Sequence, residues 1–194
     1  IALMVIPLPL VSVLFERGAF TSDDTAATAL AVAIYGLGLP AFVLQKTLQP
    51  LFFAREDTKR PFYYALIAMV LNAALAIGLS PIIGFTAAAI GTSLTGWAMV
   101  ALLWRGSRNM GNAARLDARF KTRVWRIILA SIGMGLVLAV TATVMKPFFG
   151  MTTIRYGALL CLIITGMISY FGIGHLIGAF KLSEFKRNLR RQDR

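Results

Sequence analysis

The sequence predicts an all-α polytopic membrane protein, and three observations carry that prediction. Of 194 residues, 58% are hydrophobic and only 14% charged, whereas a soluble domain carries nearer a quarter charged residues. The charges fall in a few clusters, and the apolar tracts between them run to about 20 residues, the length that matches the hydrocarbon core of a bilayer. The net charge of +12 and pI near 10.7 would suggest nucleic acid in a soluble protein. Here the basic residues flank the apolar tracts, so anionic headgroups and the positive-inside rule account for them, and no nucleic-acid partner is expected.

The elements follow in order. Residues 1–14, "IALMVIPLPLVSVL", read as the second half of a span. No basic segment precedes them and no small-residue cleavage site follows, so a signal peptide is not expected and the chain reads as a piece of a longer one. "ERGAFTSDD" is a short polar turn in which Ser22, Asp23 or Asp24 can cap the next helix. Three full spans are expected at about 27–53, 61–80 and 82–104. "AREDTKRP" closes the first, Pro61 fits the opening turn of the second, and "GLSPIIGF" separates the second from the third. Residues 106–123 form a basic connection, 124–180 a two-span hairpin (about 124–145 and 156–180), and 181–194 a basic tail. From Ala118 to Arg126, across the end of the connection, Arg119, Arg123 and Arg126 recur at helical spacing. They suggest an interfacial helix on the inner leaflet, with a solvated basic loop as the plain alternative.

Charge counting sets the sidedness. The loop with Arg55, Lys59 and Arg60, the stretch from Arg105 to Arg126 and the tail together hold sixteen Lys or Arg residues, against three in the alternate turns. The first group is therefore expected in the cytoplasm, with the C-terminus inside and "ERGAFTSDD" outside. Anionic membrane lipids are the simplest partner of the tail.

Lys46 is the anomaly within the spans. It precedes Arg55 by nine residues, about 13 Å along a helix, and an ammonium facing lipid at that depth costs a few kcal/mol. A cavity-lining cation that meets an anionic group would relieve the cost. Snorkelling or a paired lysine within the bundle would also do so. Gln49, three residues on, and the adjacent Gln45 suggest with Lys46 a polar stripe facing a bundle interior. The same helix contains Gly36, Gly38 and Pro40, where a bend or loosening is expected, as a moving hinge or as a static kink. Asn72 and the Gly91, Thr92, Ser93, Thr95, Gly96 set suit helix packing better than substrate contact. Gly166, Gly172, Gly174 and Gly178 give the last helix a smooth face for packing or for a lipid chain.

Soluble-enzyme chemistry is not visible. Cys161 and His175 each stand alone in their type, which gives neither a disulfide framework nor a thiolate metal cluster. No phosphate loop, metal-ligand spacing or nucleophile constellation occurs. No catalytic residue, metal or cofactor is expected.

The stretch from Val13 to Pro61, "VLFERGAFTSDDTAATALAVAIYGLGLPAFVLQKTLQPLFFAREDTKRP", resembles the MurJ/MviN-type lipid II flippases of bacteria. "GFTAAAIGTSLTGWAMVALLWR" continues the resemblance to about Arg105, and beyond it the likeness is one of layout. The resemblance implies an alternating-access fold of two rocking lobes in the bacterial cytoplasmic membrane. This chain would then hold part of the second lobe (residues 1–105) and a two-helix extension that offers an apolar groove to a polyprenyl tail. It implies lipid II as cargo, moved from inner to outer leaflet, and the missing N-terminal lobe of the same chain as an obligatory partner, holding the principal headgroup-binding arginines. Under it, Lys46 with Gln45 and Gln49 is the local candidate for the substrate cavity, and Arg55, Lys59 and Arg60 serve the cytoplasmic entrance or topology. Two other readings stay open: a flippase for another polyprenyl-linked glycan, or a membrane scaffold for cell-wall synthesis proteins. A membrane glycosyltransferase would need an acidic or metal site that neither Asp23/Asp24 nor Glu56/Asp57 supplies.

Overall fold

The computed structural model describes residues 1–108, 110, 118–150 and 154–179. The basic tail and the middle of the basic connection lie outside those residues. The fold is all-α, with α1 (Ala2–Val5), α2 (Pro7–Phe15), α3 (Ser22–Phe53), α4 (Lys59–Ile83), α5 (Thr86–Ser107), α6 (Ala118–Phe149) and α7 (Arg155–Leu176). The last five are each long and apolar enough to cross a bilayer. Helices are the economical solution there, because every backbone N–H and C=O must be satisfied inside the segment. The chain divides into two compact units, one of residues 14–115 and one of residues 1–13 with 116–194.

In the first of these units α5 lies between α3 and α4 and packs along both, while α3 and α4 scarcely meet. The small residues of α5 explain its central place. A Cβ at Gly38 of α3 would stand 2.8 Å from Ser93 Oγ, and one at Gly91 would stand 2.9 Å from Asn72 Oδ1 of α4. Such backbone approach is what small residues permit between membrane helices. Near the "AREDTKRP" turn the core is apolar. Phe52 and Leu103 are fully buried with Met99 and Met110, and Tyr64 meets Phe52 edge-on, with ring centroids 6.3 Å apart.

Local chemistry sets the helix ends. Thr21 caps α3, its Oγ1 accepting from Asp24 N at 3.4 Å while Asp24 Oδ2 accepts from Thr21 N at 2.9 Å. This is a reciprocal capping box. The cap therefore lies one residue ahead of the expected set, and Asp24 acts as the third helical residue. Thr25 Oγ1 donates to Glu16 Oε2 at 3.3 Å, which ties the preceding turn to the first turn of α3. At α4, Asp57 Oδ1 accepts from Arg60 N and its other oxygen pairs with Arg60 Nε, both at 3.2 Å. The expected boundary between the second and third spans moves: α4 continues through Pro81 to Ile83. Gly84, at φ +62°, then ends the helix, a conformation that glycine adopts without strain.

In the other unit α6 and α7 pack as a pair and α1 lies against α6. Ile6, Leu138 and Leu162 form the core with Met134, Ala142 and Phe149 around them. Gly166 lets Leu138 approach within 3.1 Å of the place where its Cβ would be, so packing is one use of the glycines of α7. The expected half-span at the start is two short helices that break at Ile6. Pro7 follows, and proline disfavours helical geometry in the residue before it. The expected interfacial helix is not a separate element. Residues 118–123 open α6 and run on into the span, and "ARFKTRVWR" contains no proline or glycine that would break them. Arg126 Nη1 donates to Gly178 O at 3.2 Å, joining the start of α6 to the end of α7. His175 is exposed in the last turn of α7.

Candidate functional site

Five polar side chains of the first unit line one pocket. It has a volume of about 350 Å³ and lies among α3, α4 and α5. Gln45 and Gln49 of α3, Asn72 of α4, and Thr92 and Thr95 of α5 supply its polar lining, and Phe42, Met69 and Met99 much of the rest. Residues four apart share a helix face, which brings Gln45 and Gln49 together. Gln45 Nε2 also donates across to Gly96 O of α5 at 2.9 Å. The two threonines, three apart, show the same face of α5. Asn72 Oδ1 is shielded from solvent and receives no hydrogen bond.

Lys46 is exposed and is not among the residues lining this pocket. The expected stripe of Lys46, Gln45 and Gln49 therefore divides: the two glutamines face the pocket and the lysine another side of α3. Among the described residues Lys46 makes neither a hydrogen bond nor an ion pair. Of the basic loop, Arg55 Nη2 donates to Met110 O and Arg60 pairs with Asp57. Both residues therefore have structural work, while Lys59 is exposed.

The Gly36–Pro40 segment remains helical throughout. Gly36 and Gly38 are buried, whereas Pro40 is exposed. Two donors from α5 reach carbonyls in this region. Ser93 Oγ bonds Ile34 O at 2.9 Å, and Trp97 Nε1 bonds Leu37 O at 3.0 Å. Proline removes the N–H that would serve Gly36 O, so side chains of a neighbouring helix support the backbone on both sides of a weakened turn.

Sequence reasoning named Asn72, Thr92 and Thr95 but assigned them to packing. Asn72, Thr92, Thr95 and Gly96 all line the pocket, while Asn72 also packs against α5, its Oδ1 lying 2.9 Å from where a Cβ on Gly91 would stand. The three-residue step from Thr92 to Thr95 was the available signal. In the other unit an apolar pocket of about 230 Å³ lies between α1–α2 and α6–α7, with Ile6, Leu10, Met134, Leu138, Gly166 and Met167 in its lining.

Five long apolar helices and a polar pocket within a helix bundle define a polytopic α-helical membrane protein. A family model described as "Lipid II flippase MurJ" matches residues 1–166. The chain belongs to that family. Similar proteins include one from Rhizobium tropici, 35% identical over 195 aligned residues, covering 99% of this chain and 36% of the relative. Another, from Rhizobium meliloti (strain 1021), is 37% identical, covering 98% and 36%. A third, from Rickettsia prowazekii (strain Madrid E), is 29% identical, covering 90% and 35%. Each is described as a probable lipid II flippase MurJ. The chain thus spans just over a third of the length of these curated relatives.

Proposed function

We propose that the family-length protein carrying this chain is a transporter, not an enzyme, and moves lipid II from the inner to the outer leaflet of the bacterial cytoplasmic membrane. The observation that carries this reading is the family match across residues 1–166. The chain's own chemistry supports it. A pyrophosphate-linked head needs a hydrated, cationic path, and a prenyl tail needs an apolar one. Lys46 is an exposed cation seven residues before the end of α3, about 10 Å along the helix. At that depth an ammonium facing lipid is penalised by a few kcal/mol, and a water-filled cavity receiving an anion removes most of the penalty. The apolar pocket of the other unit suits a stretch of prenyl chain.

Gly36, Gly38 and Pro40 supply the place where α3 bends as the lobe moves. Arg55, Lys59 and Arg60 set topology at the cytoplasmic face, and the C-terminus lies on that same side. The remainder of the family-length chain supplies the other lobe, and anionic lipids meet the basic tail.

Lipid II exposure at the outer leaflet tests the reading, in cells depleted of their own flippase and given the family-length protein. Lys46→Ala is expected to lower exposure and Lys46→Glu nearly to abolish it at matched membrane levels. Export that is unchanged in both variants refutes the role of Lys46. Failure of the wild type refutes the cargo.

A further inference from the structure

Ser93 and Trp97 stand four residues apart on α5 and share one of its faces. That face meets α3 where Pro40 leaves Gly36 O without the N–H that would close the turn. Ser93 Oγ donates to Ile34 O at 2.9 Å and Trp97 Nε1 to Leu37 O at 3.0 Å. The two arms of α3 are held differently. C-terminal to Pro40, Phe52 is fully buried in a cluster with Met99 and Leu103 of α5, and Gln45 Nε2 donates to Gly96 O at 2.9 Å. That arm is anchored. In the arm from Ser22 to Leu39 the buried residues are all small, namely Thr25, Ala29, Gly36 and Gly38. It has no buried large side chain to interlock with its neighbour, so the bonds from Ser93 and Trp97 are its directional ties to α5.

We propose that Ser93 and Trp97 form a latch on a proline hinge. With both bonds made α3 is one continuous helix, the arrangement seen here; with both broken its N-terminal arm tilts away from α5 about the Gly36–Pro40 turn. The inference rests on the transport reading above for its purpose, since alternating access needs an element with two arrangements. The latch itself rests on geometry alone. A hydrogen bond between membrane helices is individually modest, and each of these biases the latched arrangement by about three- to tenfold. Two such bonds make tilting the minor state without forbidding it. They are not equivalent. A serine hydroxyl released from Ile34 O can turn back to a carbonyl of its own helix. An indole N–H is a donor only, with no such local acceptor, and hydrocarbon offers no water in its place. Trp97 therefore holds the latch more firmly than Ser93.

Spin-label distances in the family-length protein test the latch, with native cysteines replaced and the protein reconstituted in nanodiscs. Labels at the exposed positions Leu30 and Ala88 report the N-terminal arm of α3 against α5, and labels at Thr47 and Ala101 report the anchored arm. Continuous-wave and pulsed electron paramagnetic resonance give the distance distribution of each pair. Trp97→Phe keeps an aromatic ring and removes one donor; Ser93→Ala removes the other. Each is expected to raise the ratio of longer to shorter distances in the Leu30–Ala88 pair by about three- to tenfold, Trp97→Phe by more, and to leave the Thr47–Ala101 pair unchanged. Pro40→Ala is the deciding variant. It restores the N–H that serves Gly36 O, and Pro40 is exposed, so no buried contact is lost. Added to Trp97→Phe, it should return the distribution toward wild type, which a simple loss of packing at Trp97 would not allow. Unchanged distances in both single variants overturn the proposal. So does equal broadening of the two pairs, or a Trp97→Phe effect that Pro40→Ala leaves intact. If the wild type exports no lipid II while the distances respond as expected, the transport reading falls and the latch stands.

Discussion

Replacing Gly38 by alanine tests the packing of α3 on α5 with a magnitude that can be worked out beforehand. The new Cβ would stand 2.8 Å from Ser93 Oγ, 3.1 Å from Ser93 Cα and 3.2 Å from Ser93 Cβ. The hydroxyl could rotate away, but that would break its bond to Ile34 O. The backbone atom cannot move without shifting α5. Overpacking of this kind costs about 1–3 kcal/mol, while alanine gains up to about 1 kcal/mol over glycine in helix propensity. Gly78→Ala in α4 isolates the strain, because a Cβ there meets nothing within 4 Å. The propensity gain is common to both, so the two variants should differ by about 1–3 kcal/mol. Gly78→Ala is expected to be neutral or stabilising and Gly38→Ala destabilising. The assay is denaturant unfolding of the purified protein in detergent micelles. Equal stability of the two variants would refute the close approach. So would a Gly38→Ala penalty that persists undiminished when Ser93 is replaced by glycine, which removes the Oγ and Cβ that the new methyl meets.

Thr21→Ala should cost about 1 kcal/mol through loss of the α3 cap, read by the same unfolding assay. Faster amide exchange in the first turn of α3, with the rest of α3 unchanged, would accompany it. Leu138→Ala, at a fully buried site against Ile6 and Leu162, should destabilise by about 2 kcal/mol, the low end of the usual range for such truncations. The low end is expected because lipid is as apolar as leucine, so the loss is of packing more than of transfer from water. A cost near zero would mean that the site collapses around the smaller side chain. Gly172→Ala, where a Cβ meets nothing, should leave stability unchanged or raise it by up to about 1 kcal/mol.

The sequence by itself determined the class, the number of full spans and their approximate limits. Bilayer thickness and the need to satisfy every backbone group leave an apolar tract of about 20 residues few alternatives to a helix. It also carried the family resemblance that the comparison with known proteins bears out. What it could not determine was which polar residues share a space. Lys46 and Gln45 are neighbours in the chain, but successive helical residues point about 100° apart, so only Gln45, with Gln49 four residues on, reaches the pocket. Asn72 and Thr92 are twenty residues apart, and nothing in either segment says that they meet. They meet because Gly91 lets α5 come within van der Waals reach of α4. Helix ends divided in the same way. Gly84 ended α4 where Pro81 did not, since proline removes one hydrogen bond while the positive φ of Gly84 turns the chain out of the helix. Periodicity and bilayer length are local properties that one segment can display. A shared pocket belongs to three helices at once, and only their packing decided it.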